Sequence, residues 1–449
     1  MKQTKRIMEF AQYVSLNVMG MIGLSCYILA DTFFVSKGLG TNGLAALNLA
    51  IPIYSFVNGS GLMIGMGGGI RYSIRQGQKE GEEANRVFTC AVYLAAVFAV
   101  FFVLLGIGCP GEIVRAFGAD EHVYEMARTY LQVILLFAPA FLLNNVLLCF
   151  VRNDGAPQLS MAAMIGGSLS NIVLDWVFIF PCGMGIFGAA FATGLAPIIS
   201  MLILSLHFIR RKNRFRFVGR WYGKLSGGIL SGGVPSLVTE ASSGMVMIVL
   251  NGIIMSLEGN VGVAAYGVIA NLSLVVVSVY TGIAQGIQPI MSRDWGSGKR
   301  AEISATLKYA LILMLIVSVS VYGGMFVFAS QIAGIFNSEG NALLQEIATE
   351  GLRLYFTACP FVGCNIILSV YFTSTDRPRP AHIISIVRGF FVIVPMAYLL
   401  AWAGGIQGVW CAFPATELLV AIIGLGFFKY YQNAPAGDLE EKGDQWEAS

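Results

Sequence analysis

The sequence predicts an all-α integral membrane protein in which twelve transmembrane helices form two parallel-repeat six-helix bundles around a central cavity. The first observation is composition: 56% of the 449 residues are hydrophobic and only 12% are charged, whereas soluble domains carry about 25% charged residues. The second is that apolar stretches long enough to cross a bilayer recur along the whole chain. The third is that similar residues recur at a nearly constant offset in the two halves.

The composition also excludes several classes of protein. A mean hydropathy of +0.72 excludes a soluble enzyme, a disordered chain and a nucleic-acid-binding protein. The eight cysteines form no CxxC pair and the three histidines have no ligand-spaced partner, so we expect neither a disulfide framework nor a zinc site. The basic start from Met1 to Arg6 precedes a long apolar run without a convincing cleavage site, which predicts a retained first span.

Twelve apolar windows are long enough to cross the membrane, for which about 20 residues suffice. They cover residues 13–35, 44–70, 87–109, 127–150, 159–181, 185–209, 228–256, 262–290, 304–330, 347–373, 381–402 and 406–430. Several windows contain proline, which removes a backbone donor and can kink a helix. We therefore predict twelve spans, some of them bent.

The distribution of lysine and arginine predicts the orientation. If the N-terminus is cytoplasmic, 23 of the 28 basic residues lie on the cytoplasmic side, four lie on or near the outer side, and Arg388 lies within the membrane. Because positively charged loops remain inside, we predict a multi-pass protein of the inner (plasma) membrane with both termini cytoplasmic. The longest basic connection, residues 210–224, falls at the midpoint of the chain.

The two halves resemble each other in sequence. At an offset of 219 residues, Gly40 matches Gly259, Gly67 matches Gly286, Gly77 matches Gly296 and Gly43-Leu44-Ala45-Ala46 matches Gly262-Val263-Ala264-Ala265; at 220, Gly185-Ile186-Phe187-Gly188 matches Gly405-Ile406-Gln407-Gly408. Two copies of six spans insert the same way up, an arrangement that suits alternating access. We predict an N-terminal bundle (1–209), a basic cytoplasmic linker (210–227), a C-terminal bundle (228–431) and a cytoplasmic tail (432–449).

Five charged residues fall within the predicted spans: Asp31, Asp175, Glu240, Arg388 and Glu417. An ionised group at mid-bilayer costs about 2.5–3.5 kcal/mol on insertion scales, so such a group is paired, hydrated or neutral. A low dielectric favours the neutral form of a carboxyl group, which is the property that a proton-coupling site needs.

Three of the polar residues are expected to form one cluster in the first bundle. Asn171 and Asp175 are four residues apart and therefore share a helical face, and Asp31 lies at a similar depth in the first span. We predict that Asp31, Asn171 and Asp175 form a cation-coupling site; the alternatives are an interfacial Asp31 and a structural hydrogen bond from Asp175.

The second half lacks this cluster. We expect Glu240 to line the cavity or to bind a cationic substrate, and Arg388 to neutralise Glu240 or to form a structural ion pair. Glu417, near Pro414, is expected to be structural.

An ordered set of motifs resembles the multidrug and toxic compound extrusion (MATE) family. The motifs are Asp31-Thr32-Phe33-Phe34-Val35, Ser170-Asn171-Ile172-Val173-Leu174-Asp175, Gly183-Met184-Gly185-Ile186-Phe187-Gly188, Gly233-Val234-Pro235, Gln285-Gly286-Ile287-Gln288-Pro289 and Gly405-Ile406-Gln407-Gly408-Val409-Trp410. The resemblance spans nearly the whole chain and implies a bacterial-type antiporter that exports cationic amphipathic drugs as H⁺ or Na⁺ enters. It also places the family's coupling cluster on Asp31, Asn171 and Asp175, and the acidic residue that some branches use in span seven on Glu240.

We therefore expect a multidrug efflux antiporter that is not an enzyme, needs no cofactor, lies in the lipid bilayer as a monomer and binds no nucleic acid. The coupling ion is H⁺ or Na⁺, with Na⁺ held at Asp31 and Asp175 and no other metal site. The predicted substrate-binding residues are Glu240, Arg388, Met63, Phe141, Asn144, Met245, Tyr280 and Gln285. Methionine and aromatic residues suit varied organic cations, although ordinary helix packing explains any single one of them.

Two transport alternatives and one enzymatic alternative stay open. A lipid-linked oligosaccharide or polysaccharide flippase would need several cationic residues in the cavity, whereas only Arg388 is a candidate. A channel fits less well than a carrier, because buried protonatable groups in a duplicated fold are typical of transporters. An intramembrane enzyme would need a nucleophile–base or metal set, and no HExxH or GxSxG motif occurs.

Overall fold

A computed structural model describes residues 2–119, 121–337 and 340–433, and this part of the chain is helical without any strand. Residues 434–449 of the predicted tail lie outside the described residues. The α-helices are α1 (Lys2–Gly77), α2 (Gly81–Gly108), α3 (Pro110–Ala116), α4 (Glu121–Leu136), α5 (Ala138–Asn153), α6 (Pro157–Ile179), α7 (Gly185–Ile209), α8 (Gly223–Gly296), α9 (Arg300–Val327), α10 (Ala329–Phe336), α11 (Ala342–Tyr355), α12 (Cys359–Ser374), α13 (Pro378–Ile386) and α14 (Ile393–Asn433). A 3₁₀ turn (Phe356–Ala358) joins α11 to α12, and a π-helical turn (Val387–Val392) joins α13 to α14.

The helices supply the twelve predicted spans. Eight helical segments of the described chain are long and apolar enough to cross a membrane, and the pair α4 and α5, bent by 48°, makes a ninth. Three of these segments are divided by glycines with non-helical backbone angles: Gly40 in α1, Gly259 in α8, and Gly404 with Gly405 in α14. Each of the three therefore provides two spans.

The two parts of α1 lie side by side. The hydroxyl oxygens of Tyr27 and Tyr54 are 2.9 Å apart, although 27 residues of straight helix would separate them by about 40 Å. The chain therefore turns back at Gly40 and runs antiparallel to itself.

The glycines that the repeat paired have nearly the same backbone conformation. Gly40 has φ 67° and ψ −157°, and Gly259 has φ 60° and ψ −151°. Gly185 and Gly405 form a second such pair, with φ of 60° and 57°. These positive φ values suit glycine alone among the common residues, so equivalent turns in the two halves depend on the same residue type.

The hydrophobic interior divides into separate clusters. One large cluster is built from residues between Val35 and Ile229, and another mainly from residues between Leu250 and Ala412. We refer to α1–α7 as the first bundle and to α8–α14 as the second bundle. The helices are divided in this way because each bundle buries its own set of apolar side chains.

The two bundles meet through glycines of α1 and α8. A Cβ atom on Gly233 would lie 1.8 Å from the carbonyl oxygen of Met63, and one on Gly67 would lie 1.9 Å from that of Ile229. On the pseudo-equivalent side, a Cβ on Gly286 would lie 2.7 Å from Cα of Val14. These contacts lie toward the end of the molecule that holds the N-terminus and the basic linker, which we call the basic end. The bundles are therefore closed against each other there, backbone to backbone.

Candidate ion-coupling and substrate site

The two carboxyl groups predicted to act together are in contact inside the first bundle. Asp31 of α1 and Asp175 of α6 are 8% and 0% exposed, and their side chains lie within hydrogen-bonding reach of each other. Both side chains are covered within the first bundle, and they come together because the first part of α1 packs along α6.

Asn171 completes this cluster. It lies one helical turn before Asp175 and is fully buried. In the amide orientation that satisfies its neighbours, its Nδ2 donates to Oδ2 of Asp175 at 3.0 Å and its oxygen accepts from the backbone N–H of Thr193 at 3.2 Å. The amide therefore fixes Asp175 against α7.

The carboxyl pair is incompletely satisfied by protein groups. Oδ1 of Asp31 and Oδ1 of Asp175 are both buried without a hydrogen-bond partner, and neither residue forms an ion pair within the described ranges. Tyr130 lies close to both carboxyl groups. Two buried acidic groups without a base favour uptake of a proton or a metal cation, because an isolated buried carboxylate is costly.

Glu240 lies at the boundary between the bundles. It is half-buried, its Cβ packs against Gly59 of α1, and its carboxyl group reaches the side chain of Asn58. Asn145 in turn donates to Oδ1 of Asn58 at 2.9 Å. No basic partner of Glu240 is present in the described part of the chain. Tyr54 lies near both Glu240 and Asp31.

The expected neutralisation of Glu240 by Arg388 is wrong. Nε of Arg388, in the π-helical turn, donates to Oε1 of Glu417 at 2.5 Å, and Oε2 of Glu417 accepts from Asn365 at 2.7 Å. Glu417 is 1% exposed. Arg388 therefore forms an ion pair within the second bundle, and the structural interpretation of Glu417 agrees with this contact.

The predicted lining residues are found in different environments. Met245 is 44% exposed, and Asn144 and Gln285 are half-buried. Met63 is covered at the bundle interface and Phe141 packs edge-on against Tyr54 inside the first bundle. Tyr280 does not face a space between the bundles: it is fully buried and its hydroxyl lies 2.8 Å from Oγ of Ser318 on α9.

Arg152 is a buried residue, although it is one of the 23 basic residues predicted to lie on the cytoplasmic side. It is 2% exposed, and its Nη1 donates to Asn17 at 2.9 Å and to Gln285 of the second bundle at 2.7 Å. The side chain thus connects the bundles at the basic end. A single arginine near the turn residues Asp154 and Gly155 gives no sign of burial in the sequence, because its partners are distant along the chain.

The described residues offer no metal site besides the carboxyl pair. Among residues 2–119, 121–337 and 340–433, no group of three or more His, Cys, Asp or Glu side chains is placed to hold a metal ion.

Comparisons with known proteins identify relatives that match most of the chain. The family model MatE matches residues 18–177 and 235–399. The multidrug export protein MepA of Staphylococcus saprophyticus subsp. saprophyticus is 24% identical over 400 residues, which cover 88% of this chain and 87% of that protein. An outward-facing multidrug resistance MATE family transporter of the MOP superfamily superposes with a TM-score of 0.88 at 24% identity, over 94% of this chain and 95% of the other. A MATE protein in complex with MaL6 superposes with a TM-score of 0.89 at 25% identity, over the same shares.

Proposed function

The chain belongs to the MatE family, and from this membership and the geometry of the first bundle we propose that it exports organic cations in exchange for H⁺ or Na⁺. It is a multi-pass membrane transporter and not an enzyme, and the proposed cycle uses no cofactor. The name of the staphylococcal relative, multidrug export protein, supports a broad range of small-molecule substrates.

The observation that carries the proposal is the contact between Asp31 and Asp175. Two carboxyl groups that share a buried site, each with one unpartnered oxygen, repel each other when both are ionised. A proton or Na⁺ bound between them removes this repulsion. The stability of the surrounding helices α1, α6 and α7 then depends on whether the ion is bound.

This dependence provides the coupling. A ligand shifts a conformational equilibrium only by its differential affinity for the two states. The ion must therefore bind more tightly when the bundles adopt one arrangement, and the cargo more tightly in the other. The first part of α1 joins the two events, because it carries Asp31 and also packs against α8 of the second bundle at Val14 and Val18.

Glu240 is the proposed recognition group for a cationic cargo. It lies between the bundles with no basic partner among the described residues, so its charge is available to an organic cation. Asn58 and Tyr54 lie beside it, and Tyr54 also lies near Asp31 of the carboxyl pair. Of the predicted lining residues, the exposed Met245 suits an adaptable apolar contact.

The flippase alternative is not favoured. A diphosphate would need unpaired basic groups between the bundles, but Arg388 is paired with Glu417 and Arg152 is covered at the closed basic end. The cytoplasmic placement of the basic end remains our proposal from the positive-inside rule.

The test is efflux from reconstituted vesicles. Purified chain in liposomes is given a pH gradient or, separately, a Na⁺ gradient, and ethidium movement is followed by fluorescence. We expect one of the two gradients to drive ethidium across the membrane. Asp175→Asn should lower the rate of ethidium transport at least about fivefold, the factor that corresponds to the smallest typical coupling free energy. Full activity of Asp175→Asn would contradict the assignment.

Asp376→Asn is the matched control. Asp376 is exposed at the basic end with φ 55°, a conformation that asparagine tolerates well, so transport should match the wild type. Retained ethidium binding by Asp175→Asn, measured by anisotropy, separates a loss of coupling from a loss of folding.

A further inference from the structure

The second bundle has an apolar cleft that the transport proposal does not use. Its volume is about 340 Å³, and it lies between α9, α12 and α14. Leu311, Ile312 and Leu315 form its wall on α9, while Lys308, Tyr371 and Gln432 lie toward the basic end. Ile312 and Leu315 are 47% and 54% exposed, so a molecule outside the bundle can reach this wall.

Polarity changes in a regular way along this face of α9. Arg300, Ser304 and Lys308 follow at intervals of four residues and therefore lie on one face. Leu311, Ile312 and Leu315 continue the same face deeper into the apolar part of the helix. The face thus begins with basic side chains and continues with aliphatic ones.

Further basic side chains come from neighbouring elements. Arg377, in the turn between α12 and α13, lies over the ring of Tyr431 at 4.8 Å and faces Trp295 at 5.4 Å. Arg300 lies over the same Trp295 ring at 3.2 Å. Both arginines lie near the Tyr371 side chain at the cleft.

Acidic groups near this rim are few in the described part of the chain. Asp376 is exposed beside Arg377, and Glu302 is paired with Arg6. Lys308 and Arg377 therefore outnumber Asp376, since Glu302 is neutralised by Arg6. Among the described residues these side chains give the rim a net positive charge.

We propose that this cleft binds an anionic phospholipid. The phosphate lies at Lys308 and Arg377, and an acyl chain lies along Leu311, Ile312 and Leu315. Basic pockets between transmembrane helices recognise anionic headgroups in this way. Lys308 has an aliphatic stem long enough to follow the apolar wall while its ammonium group reaches the headgroup level.

The other available occupant fits less well. Residues 434–449 follow Gln432 closely in the chain and contain five acidic residues, which would suit the rim. They offer few apolar side chains for a wall of three aliphatic residues, whereas a phospholipid satisfies the rim and the wall together.

The test compares two lipids with the same acyl chains. The full chain in neutral detergent is titrated with phosphatidylglycerol or phosphatidylcholine; thermal unfolding gives the stabilisation and native mass spectrometry counts bound lipids. We expect phosphatidylglycerol to raise Tm more and to remain bound as one molecule. Lys308→Gln should weaken this binding about fivefold, while Lys212→Gln in the exposed linker should not.

A steric pair of variants tests the wall. Ile312→Trp fills the cleft and should abolish retention of phosphatidylglycerol, whereas Ile316→Trp, on the same helix but outside the cleft, should retain it. Equal stabilisation by both lipids, or unchanged binding in Lys308→Gln and Ile312→Trp, would overturn the proposal. So would an effect that appears only after removal of residues 434–449, or a change of oligomeric state instead of lipid count in Ile312→Trp.

Discussion

At the scale of single residues, the bundles treat buried charge in opposite ways. The first bundle places Asp31 against Asp175 without a base, while the second neutralises Glu417 with Arg388. The guanidinium group of Arg388 neutralises Glu417 permanently, whereas the two carboxyl groups of the first bundle are neutralised only when they bind a cation from the surroundings. The asymmetry supports ion exchange in the first bundle only.

The ion pair of the second bundle gives a stability prediction. Glu417→Leu leaves Arg388 without its partner and should lower the free energy of unfolding by about 3–5 kcal/mol. Combining it with Arg388→Met removes both charges and should recover most of the loss. Unfolding in detergent, followed by intrinsic fluorescence, measures the difference, and a double variant as unstable as Glu417→Leu would contradict the pairing.

The same residues show what a sequence can predict about a site. Asn171 and Asp175 lie on one helix, so their spacing alone places them on one face. Asp31 joined them because the depth of a residue in its span is readable from the window. Arg388 was assigned to the wrong acid because the choice between Glu240 and Glu417 depends on how the π-helical turn is oriented between α8 and α14. The periodicity of the sequence carries no information about this orientation.

At the scale of helices, the repeat was the informative signal. The repeat matched Gly40 with Gly259 and Gly185 with Gly405, and the structure has a positive φ of similar size at both members of each pair. Pro139 in the window 127–150 predicted a kink, and the chain bends by 48° just before it, between α4 and α5. The π-helical turn at Val387–Val392 was not predicted, because hydropathy carries no information about it.

The turn glycines give a second prediction. No atom lies within 4 Å of a Cβ added to Gly40 or Gly259, so an alanine there is opposed by backbone conformation alone. We expect Gly259→Ala to lower the free energy of unfolding by about 1–3 kcal/mol. Gly267→Ala, helical and also uncrowded, should be neutral or stabilising by up to about 1 kcal/mol, and equal effects of the two changes would refute the argument.

At the scale of the whole molecule, the bundles are held together at the basic end by backbone contacts and by Arg152. The glycines remove the side chains that would keep the helices apart, and Arg152 connects Asn17 with Gln285 across the interface. The structure therefore has a specific closed arrangement at this end. Alternating access requires that these contacts break in the other state.

A bulkier residue at this interface should shift the equilibrium. In Gly233→Ala the new Cβ would lie 1.8 Å from the backbone oxygen of Met63, so the bundles must separate locally. We expect faster alkylation of Cys149, which is 2% exposed beside Arg152. Reaction with N-ethylmaleimide, located by peptide mass spectrometry, should increase several-fold.

Gly232→Ala is the control for this experiment, since its Cβ would meet Gly67 at an ordinary 3.5 Å. Alkylation of Cys149 in Gly232→Ala should match the wild type. Unchanged labelling in Gly233→Ala would mean that the interface accommodates the methyl group without opening.

The position of the carboxyl pair has a consequence for the breadth of cargo. Asp31 and Asp175 are enclosed within one bundle, and Glu240 lies outside that enclosure. In the proposed function the coupling ion and the substrate therefore bind at separate places, so the shape of the substrate does not alter the number of ions exchanged in each transport cycle. A transporter of this kind accepts varied substrates at a fixed stoichiometry.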